Sequence, residues 1–405
     1  MPKQSIITRN LSRRSFLAAT GAAAAWALAG CKSMPGTDVS SLPRKSATYQ
    51  SLFGTLPNGE KVYQYTLTNS NGMIVQLISY GARIQRILAP DRSGNLGDVV
   101  LGFTDLASYA TTHAKDPYFG ATIGRYANRI ANGTFKLNGV TYHLPTNDGP
   151  NTLHGGPHAW DQQVWKATEV TELGAPGVRF SLFSNPMENG FPGMVLAAAT
   201  YTLNEKNELH GHFRANTDAP TVINMCNHAY FNLHKPGTQI LDHVLTINAD
   251  HYTPTNDVLI PTGKLAPVAG TPFDFCKPVQ LSARLKPAYS GTSKIAFDQV
   301  PYGYDYNWCL NNQDEKKLAF AARVQEPKTG RVLDCYTTQP GIQVYTGNFL
   351  NGSIKGIGGN YPYHGAISLE TQHYPNSPNQ PNFPSTVLNP NETYFQRTVY
   401  KFSTM

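Results

Sequence analysis

The chain has little charge, few cysteines and no apolar run long enough to cross a bilayer. Charged residues make up 15% of its 405 positions and aromatics 11%. That balance builds a large core and excludes a disordered chain. The longest apolar stretch, Phe16 to Gly30, has fifteen residues, whereas a span needs about 20. Cysteines at zinc-type spacing are missing, and so is a phosphate-binding glycine loop. The glycine cluster from Gly352 to Gly359 matches no such loop and opens no evident helix. No repeat of fixed period marks the chain, which argues against a propeller. No long stretch carries helical periodicity.

The short apolar run has a telling context. Arg9, Arg13 and Arg14 precede it, and no acid occurs before Asp38. This is the pattern of a secretory signal. Ser12-Arg13-Arg14-Ser15-Phe16-Leu17 resembles a twin-arginine export motif, and Leu28-Ala29-Gly30-Cys31 resembles a bacterial lipobox. Residues 1–30 are therefore expected to be a signal peptide cleaved before Cys31, with Cys31 acylated. An ordinary signal with a chance cysteine is the bland alternative. Residues 31–48, rich in Ser, Pro, Gly and Thr, read as a tether, and 49–405 as one domain. The protein would be an exported lipoprotein of the periplasm or cell envelope, touching membrane only through its lipid. The signal carries Lys3, Arg9, Arg13 and Arg14 and no acid, so the +7 of the whole chain falls to +3 once it is removed. That is too mild for a nucleic-acid partner. Cys226, Cys276, Cys309 and Cys335 allow three disulfide pairings or none. Oligomeric state is not legible.

What is present is turns. Asn-Gly occurs at 58–59, 71–72, 132–133, 138–139, 189–190 and 351–352, and this pair suits tight hairpins. The clearest hairpin runs Thr134–Leu137, Asn138-Gly139, Val140–Leu144, with Phe135, Leu137, Val140, Tyr142 and Leu144 on one face. A second pairs Val195–Leu203 with Glu208–Ala215. The fold class is all-β, with many strands in packed antiparallel sheets. Pro375, Pro378, Pro381 and Pro384 recur every third residue, which predicts an extended rigid loop.

Candidate chemistry lies on a few strands. Glu370 sits in Ala366-Ile-Ser-Leu-Glu-Thr-Gln372, where Ile367, Leu369 and Thr371 point one way and Glu370 the other, among small neighbours. A carboxylate is unfavoured in a strand unless it faces water or lines a cavity. In Asn227-His-Ala-Tyr-Phe-Asn-Leu233, alternation puts His228, Tyr230 and Asn232 on one face, with Cys226. A core histidine is the competing reading, and a Cys/His nucleophile pair has no supporting motif. His154 precedes paired glycines in Asn151-Thr-Leu-His-Gly-Gly156, which would let backbone approach a ligand. Arg129, amid so few charges, could bind hydroxyls or hold a carboxylate, with a structural salt bridge as the bland alternative. Asp305 lies in Gly303-Tyr-Asp-Tyr-Asn307, and Gln343 shares a strand face with Tyr345. His210 and His212 share a face with Arg214 and read as solvated rather than as a metal site.

These motifs, taken in order, resemble one family. Asn128-Arg129-Ile130, Asn151-Thr-Leu-His-Gly-Gly156, Glu188-Asn-Gly-Phe-Pro-Gly193, Asn227-His-Ala-Tyr-Phe-Asn-Leu233, Gly303-Tyr-Asp305, Pro340-Gly-Ile-Gln-Val-Tyr-Thr-Gly-Asn348 and Leu369-Glu-Thr-Gln-His373 are similar to those of aldose 1-epimerases, the galactose mutarotases. The resemblance runs from about residue 50 to 402. It implies a large antiparallel β-supersandwich with a monosaccharide in a cleft across one concave sheet. Glu370 would be the general base and His228 the general acid. Asn128, Arg129, His154, Tyr230, Asp305 and Gln343 would bind the sugar. Cys226 and Tyr306 stand where threonine and histidine are common, which bears on sugar preference.

The expected activity is interconversion of α and β anomers of free aldohexoses such as glucose or galactose. It needs an acid and a base but neither cofactor nor metal. With unperturbed values near about 4.3 for Glu and 6.5 for His, the glutamate is a base and the histidine an acid between them. Two alternatives stay open: a glycoside hydrolase pairing Asp305 with Glu370, and an exported sugar-binding lipoprotein without catalysis.

Overall fold

The computed structural model describes residues 42–110, 118–285, 303–311, 314 and 316–405. The signal peptide, the lipobox and Cys31 lie outside these residues. The first strand begins at Ala47, so the last two residues assigned to the tether already belong to a sheet.

Three large antiparallel sheets carry the fold. The chain opens as a five-stranded meander of Ala47–Thr55, Lys61–Thr68, Ile74–Ile78, Arg83–Pro90 and Leu96–Asp98, paired in sequence order. A nine-stranded sheet contains Ala175–Ser184, Val195–Leu203 and Glu208–Thr217 as a meander, followed by the C-terminal Tyr394–Thr404, then Arg331–Thr337 and Ala319–Gln325. A six-stranded sheet runs, in spatial order, Tyr230–Phe231, Ile367–Gln372, Gly341–Tyr345, Asp305–Cys309, His251–Thr253 and Ala266–Pro267.

Alternating apolar residues dictate how the sheets stack. Along Glu208–Thr217, Leu209, Phe213 and Ala215 are buried while Arg214 is exposed. Leu67, Val75, Leu77 and Ile84 do the same for the five-stranded sheet, and Ile342, Val344, Ile367 and Leu369 for the six-stranded one. All of them meet in a single apolar cluster, so the nine-stranded sheet forms one layer and the other two cover it. Each such side chain contributes about 1.5–3 kcal/mol on burial. Tyr400 Oη donates to the Leu369 carbonyl at 3.2 Å and Gln396 Nε2 to that of Thr371 at 2.8 Å, which ties the layers where Glu370 sits.

The two expected hairpins form, Thr134–Leu137 on Val140–His143 and Val195–Leu203 on Glu208–Thr217. Asn138 and Gly139 both hold positive φ, +49° and +84°, the turn whose twist matches that of paired strands. Val140 departs from expectation. It lies at the hairpin tip and is 53% exposed, while Phe135 and Leu137 reach the local core. Two other Asn-Gly pairs, at 132–133 and 189–190, sit in 3-10 turns rather than hairpins. The proline-rich stretch is not extended either. Asn376 holds φ +61° and Ser377–Asn379 form a 3-10 turn. Asn376 Oδ1 accepts from the Ala131 N–H and from Asn379 Nδ2, and these bonds fold the segment back. The four described cysteines are free, with Cys226, Cys309 and Cys335 buried.

Candidate active site

The six-stranded sheet and the loops beside it enclose a cavity of about 600 Å³, within the range of small-molecule sites. Every residue of Ile367–Gln372 is buried. Its odd-numbered residues enter the core, and Glu370, on the other face, lines the cavity. Gln343 lies directly across the ladder from Glu370, and Asp305 lies one strand further on.

His228 does not sit within a strand. Cys226–Asn227 pairs with Thr122–Ile123, and Tyr230–Phe231 joins the six-stranded sheet, so His228 falls in the step between two sheets. Simple alternation therefore fails beyond Tyr230. Asn232 turns away, its amide donating to the carbonyls of Thr238 and Gly365. His228 and Tyr230 do share the cavity, with ring centroids 5.1 Å apart. His228 Nε2 approaches Glu370 Oε1 to 3.3 Å.

His154 is held by Asn128. The two exchange backbone and side-chain contacts: His154 N–H donates to the Asn128 carbonyl at 3.0 Å, and Asn128 N–H donates to His154 Nδ1 at 3.1 Å. Both residues occupy left-handed backbone, at φ +52° and +61°. Such strain persists where surrounding structure enforces it. Packing requires the first of the neighbouring glycines. Gly155 is at φ +89°, and a Cβ there would lie 2.3 Å from the Gly124 carbonyl oxygen.

Arg129 holds carboxylates, as one of its readings expected. It faces the cavity, donates from Nε to Asp148 at 2.6 Å, and stands 3.8 Å from Asp305. Among the residues expected to bind sugar or catalyse, Gln343 alone does not line the cavity. Its Nε2 donates to Asp305 Oδ1 at 2.7 Å. Tyr306 packs on Phe273 at 4.8 Å, on the face opposite Asp305 and away from the cavity. Cys226, in contrast, touches the site, with Sγ 3.8 Å from Glu370 Oε2. His210 and His212 lie elsewhere, beside Glu208 and Glu172.

Burial rearranges the charges. It raises Glu370 well above the carboxylate range, with the neighbouring Asp305 adding to it and Arg129 opposing. It pushes His228 down to about 3. Burial, then His228 and Arg129, keep His154 well below the usual imidazole value. Asp305 is raised by burial against the pull of Arg129. Burial thus moves Glu370 and His228 in opposite directions and inverts their ordinary order.

Donor atoms of His154, His228 and Glu370 all lie within 4.8 Å of one another, a spacing a cation could use. The hydrogen bonding of His154 argues against it. Because a backbone amide donates to Nδ1, the neutral ring carries its proton on Nε2. A metal on Nε2 would need that proton on Nδ1, where the Asn128 N–H already points. The ring suits donation to an acceptor in the cavity instead.

The family profile described as aldose 1-epimerase matches residues 63–401. The chain belongs to the aldose 1-epimerase family. It is 44% identical to the galactose mutarotase of Mus musculus over 356 residues, covering 87% of this chain and 98% of that protein. It is 36% identical to the aldose 1-epimerase of Escherichia coli K12, covering 85% and 96%. The structure of a galactose 1-epimerase from Lactobacillus acidophilus superposes with a TM-score of 0.74 at 30% identity, covering 89% of this chain and 99% of that one.

Within this family member, several cavity residues escaped the sequence reading. Tyr118 packs edge-on to His154 at 4.7 Å, and Phe349, 68% exposed, stacks on Tyr345 at the rim. Asp148, which holds Arg129 from behind the lining, offered a signal, since it precedes the His154 motif in an Asn-Asp-Gly turn. Tyr118 offered none.

Proposed function

We propose that this chain is an aldose 1-epimerase, opening and reclosing the hemiacetal of a free aldohexose with Glu370 as base and His228 as acid. The observation that carries this reading is the 3.3 Å contact between His228 Nε2 and Glu370 Oε1 inside an open cavity. The C1 hydroxyl oxygen and the ring oxygen are both bonded to C1. Groups that serve them must therefore be neighbours, not placed across a ring.

The pair enters the reaction with one proton between its members. Hydroxyls donating to the Glu370 carboxylate favour its ionised form and shift the proton to His228. Glu370 then takes the C1 hydroxyl proton as His228 protonates the ring oxygen. The C1–C2 bond turns, and the ring closes on the other carbonyl face with the protons returned. Nε2–H of His154 and the Arg129 guanidinium stabilise charge on the sugar oxygens. Asn128, Tyr230 and Asp305, the last set by Gln343, orient the sugar. No step requires a redox or group-transfer partner.

A hydrolase would use Asp305 with Glu370 and leave two cavity histidines idle, and a binding protein would need no shared proton. The names of the relatives support neither. Addition of the protein to freshly dissolved α-galactose or α-glucose should accelerate the polarimetric approach to equilibrium. No acceleration with any of several α-aldoses would overturn the proposal.

We also infer that the chain is exported and anchored through an acylated Cys31. The basic start, the short apolar run and the lipobox pattern support this. Mass spectrometry of the protein matured in a bacterial host should find a lipid-modified Cys31 at the N-terminus. An unmodified chain retaining residues 1–30 would contradict it.

A further inference from the structure

Cys226 is fully buried, yet its thiol meets the reacting carboxylate rather than a partner cysteine. Beside it are Ala121, Ile123 and Ala127, with Tyr201 and Tyr400 near enough to interact electrostatically; the hydroxyls of those tyrosines are engaged with Thr122, Asn227 and the Leu369 carbonyl. The strand pair Cys226–Asn227 with Thr122–Ile123 holds its backbone, and Sγ reaches Glu370 Oε2 at 3.8 Å. The other carboxylate oxygen, Oε1, faces His228. Burial and the adjacent Glu370 both hold the thiol protonated, so it is a donor, and a thiol is a weak one.

We propose that Cys226 is a positioning residue that turns Glu370 Oε1 toward His228 while leaving the carboxylate only weakly hydrogen-bonded, and therefore strongly basic. This rests on the reading of Glu370 as the reacting carboxylate. A hydroxyl that closed to hydrogen-bonding distance, about 2.5–3.0 Å, would bind Oε2 more firmly and stabilise the ionised form. The thiol holds the carboxylate's orientation at the least cost to its proton affinity. The other titratable or charged groups around Glu370 are His228, His154, Asp305, Arg129, Tyr345 and Tyr400. None of them changes in the variants below.

The test is the pH profile of kcat/KM for Cys226→Ser and Cys226→Ala, with folding checked by near-ultraviolet circular dichroism. The alkaline limb reports loss of the pair's proton from Glu370. In Cys226→Ser it should move to lower pH by about half to one unit, the worth of one ordinary hydrogen bond. In Cys226→Ala it should move slightly to higher pH. Limbs coincident with the parent in both variants, or shifted alike in both, would overturn the proposal. If the serine variant does not fold, the alanine variant decides alone, and an unmoved limb sinks the idea. Glu370→Gln separates the two claims. If it keeps parental activity, the assignment of Glu370 fails. If it is inactive while the Cys226 limbs stay put, only this inference fails.

Discussion

Two histidine–glutamate contacts of nearly equal length sit in opposite settings. His228 and Glu370 are 3.3 Å apart in the cavity, with side chains 6% and 2% exposed. His212 and Glu172 are 3.2 Å apart on the outer face of the nine-stranded sheet, 17% and 27% exposed. The outer pair is partly solvated. Burial lowers His212 while Glu172 raises it. The inner pair is dominated by burial, which raises Glu370 and lowers His228. A contact distance does not make an active site. What differs is the energy of separating charge, small near water and large inside.

The largest effect expected from breaking this comparison is at the inner pair. Glu370→Gln or His228→Asn should each lower kcat by about 10² to 10⁴. Calorimetric binding of galactose should survive, because Arg129, Asp305 and His154 remain. The second effect is on pH. A raised Glu370 keeps the pair's proton to higher pH, and a lowered His228 delays the second proton to lower pH. The window of kcat/KM should therefore extend on both sides of the interval between about 4.3 and 6.5 set by ordinary groups, with its acid limb near 3. A bell confined to that interval would show that the cavity does not shift them.

The third is structural. Gly155→Ala meets the Gly124 carbonyl at positive φ and should cost about 1–3 kcal/mol in chemical denaturation. It should lower activity as well, by displacing His154. The smallest is the outer pair itself. His212→Asn or Glu172→Gln should leave mutarotation unchanged and stability within about 0.5 kcal/mol of the parent.

Much of this was legible in the residues, for identifiable reasons. Alternation of Ile367, Leu369 and Thr371 against Glu370 gave the right face, because the strand is regular and one side is core. The Asn138-Gly139 hairpin was legible because its turn needs two left-handed residues. Alternation misled at Asn232, because the chain changes sheets at His228 and the period resets. It misled at Val140 because a hairpin tip outruns the core it faces. The four prolines at every third position suggested extension, but Asn376 and its hydrogen bonds, which no period reveals, fold the stretch into a turn. Glu370 and His228 are 142 positions apart. No local pattern states that they touch; the family resemblance implied it, and the closing of the six-stranded sheet against the Cys226–Asn227 step brings it about. The inversion of their proton affinities was not legible at all, since it depends on burial from elements scattered along the chain.

The account stands on Glu370 and His228 working as one proton-sharing unit. A double-mutant cycle on kcat, with Glu370→Gln, His228→Asn and the two combined, measures that coupling directly. The double variant should be no slower than about the worse of the two single variants. Multiplicative losses, or a single variant at the parental rate, would contradict it.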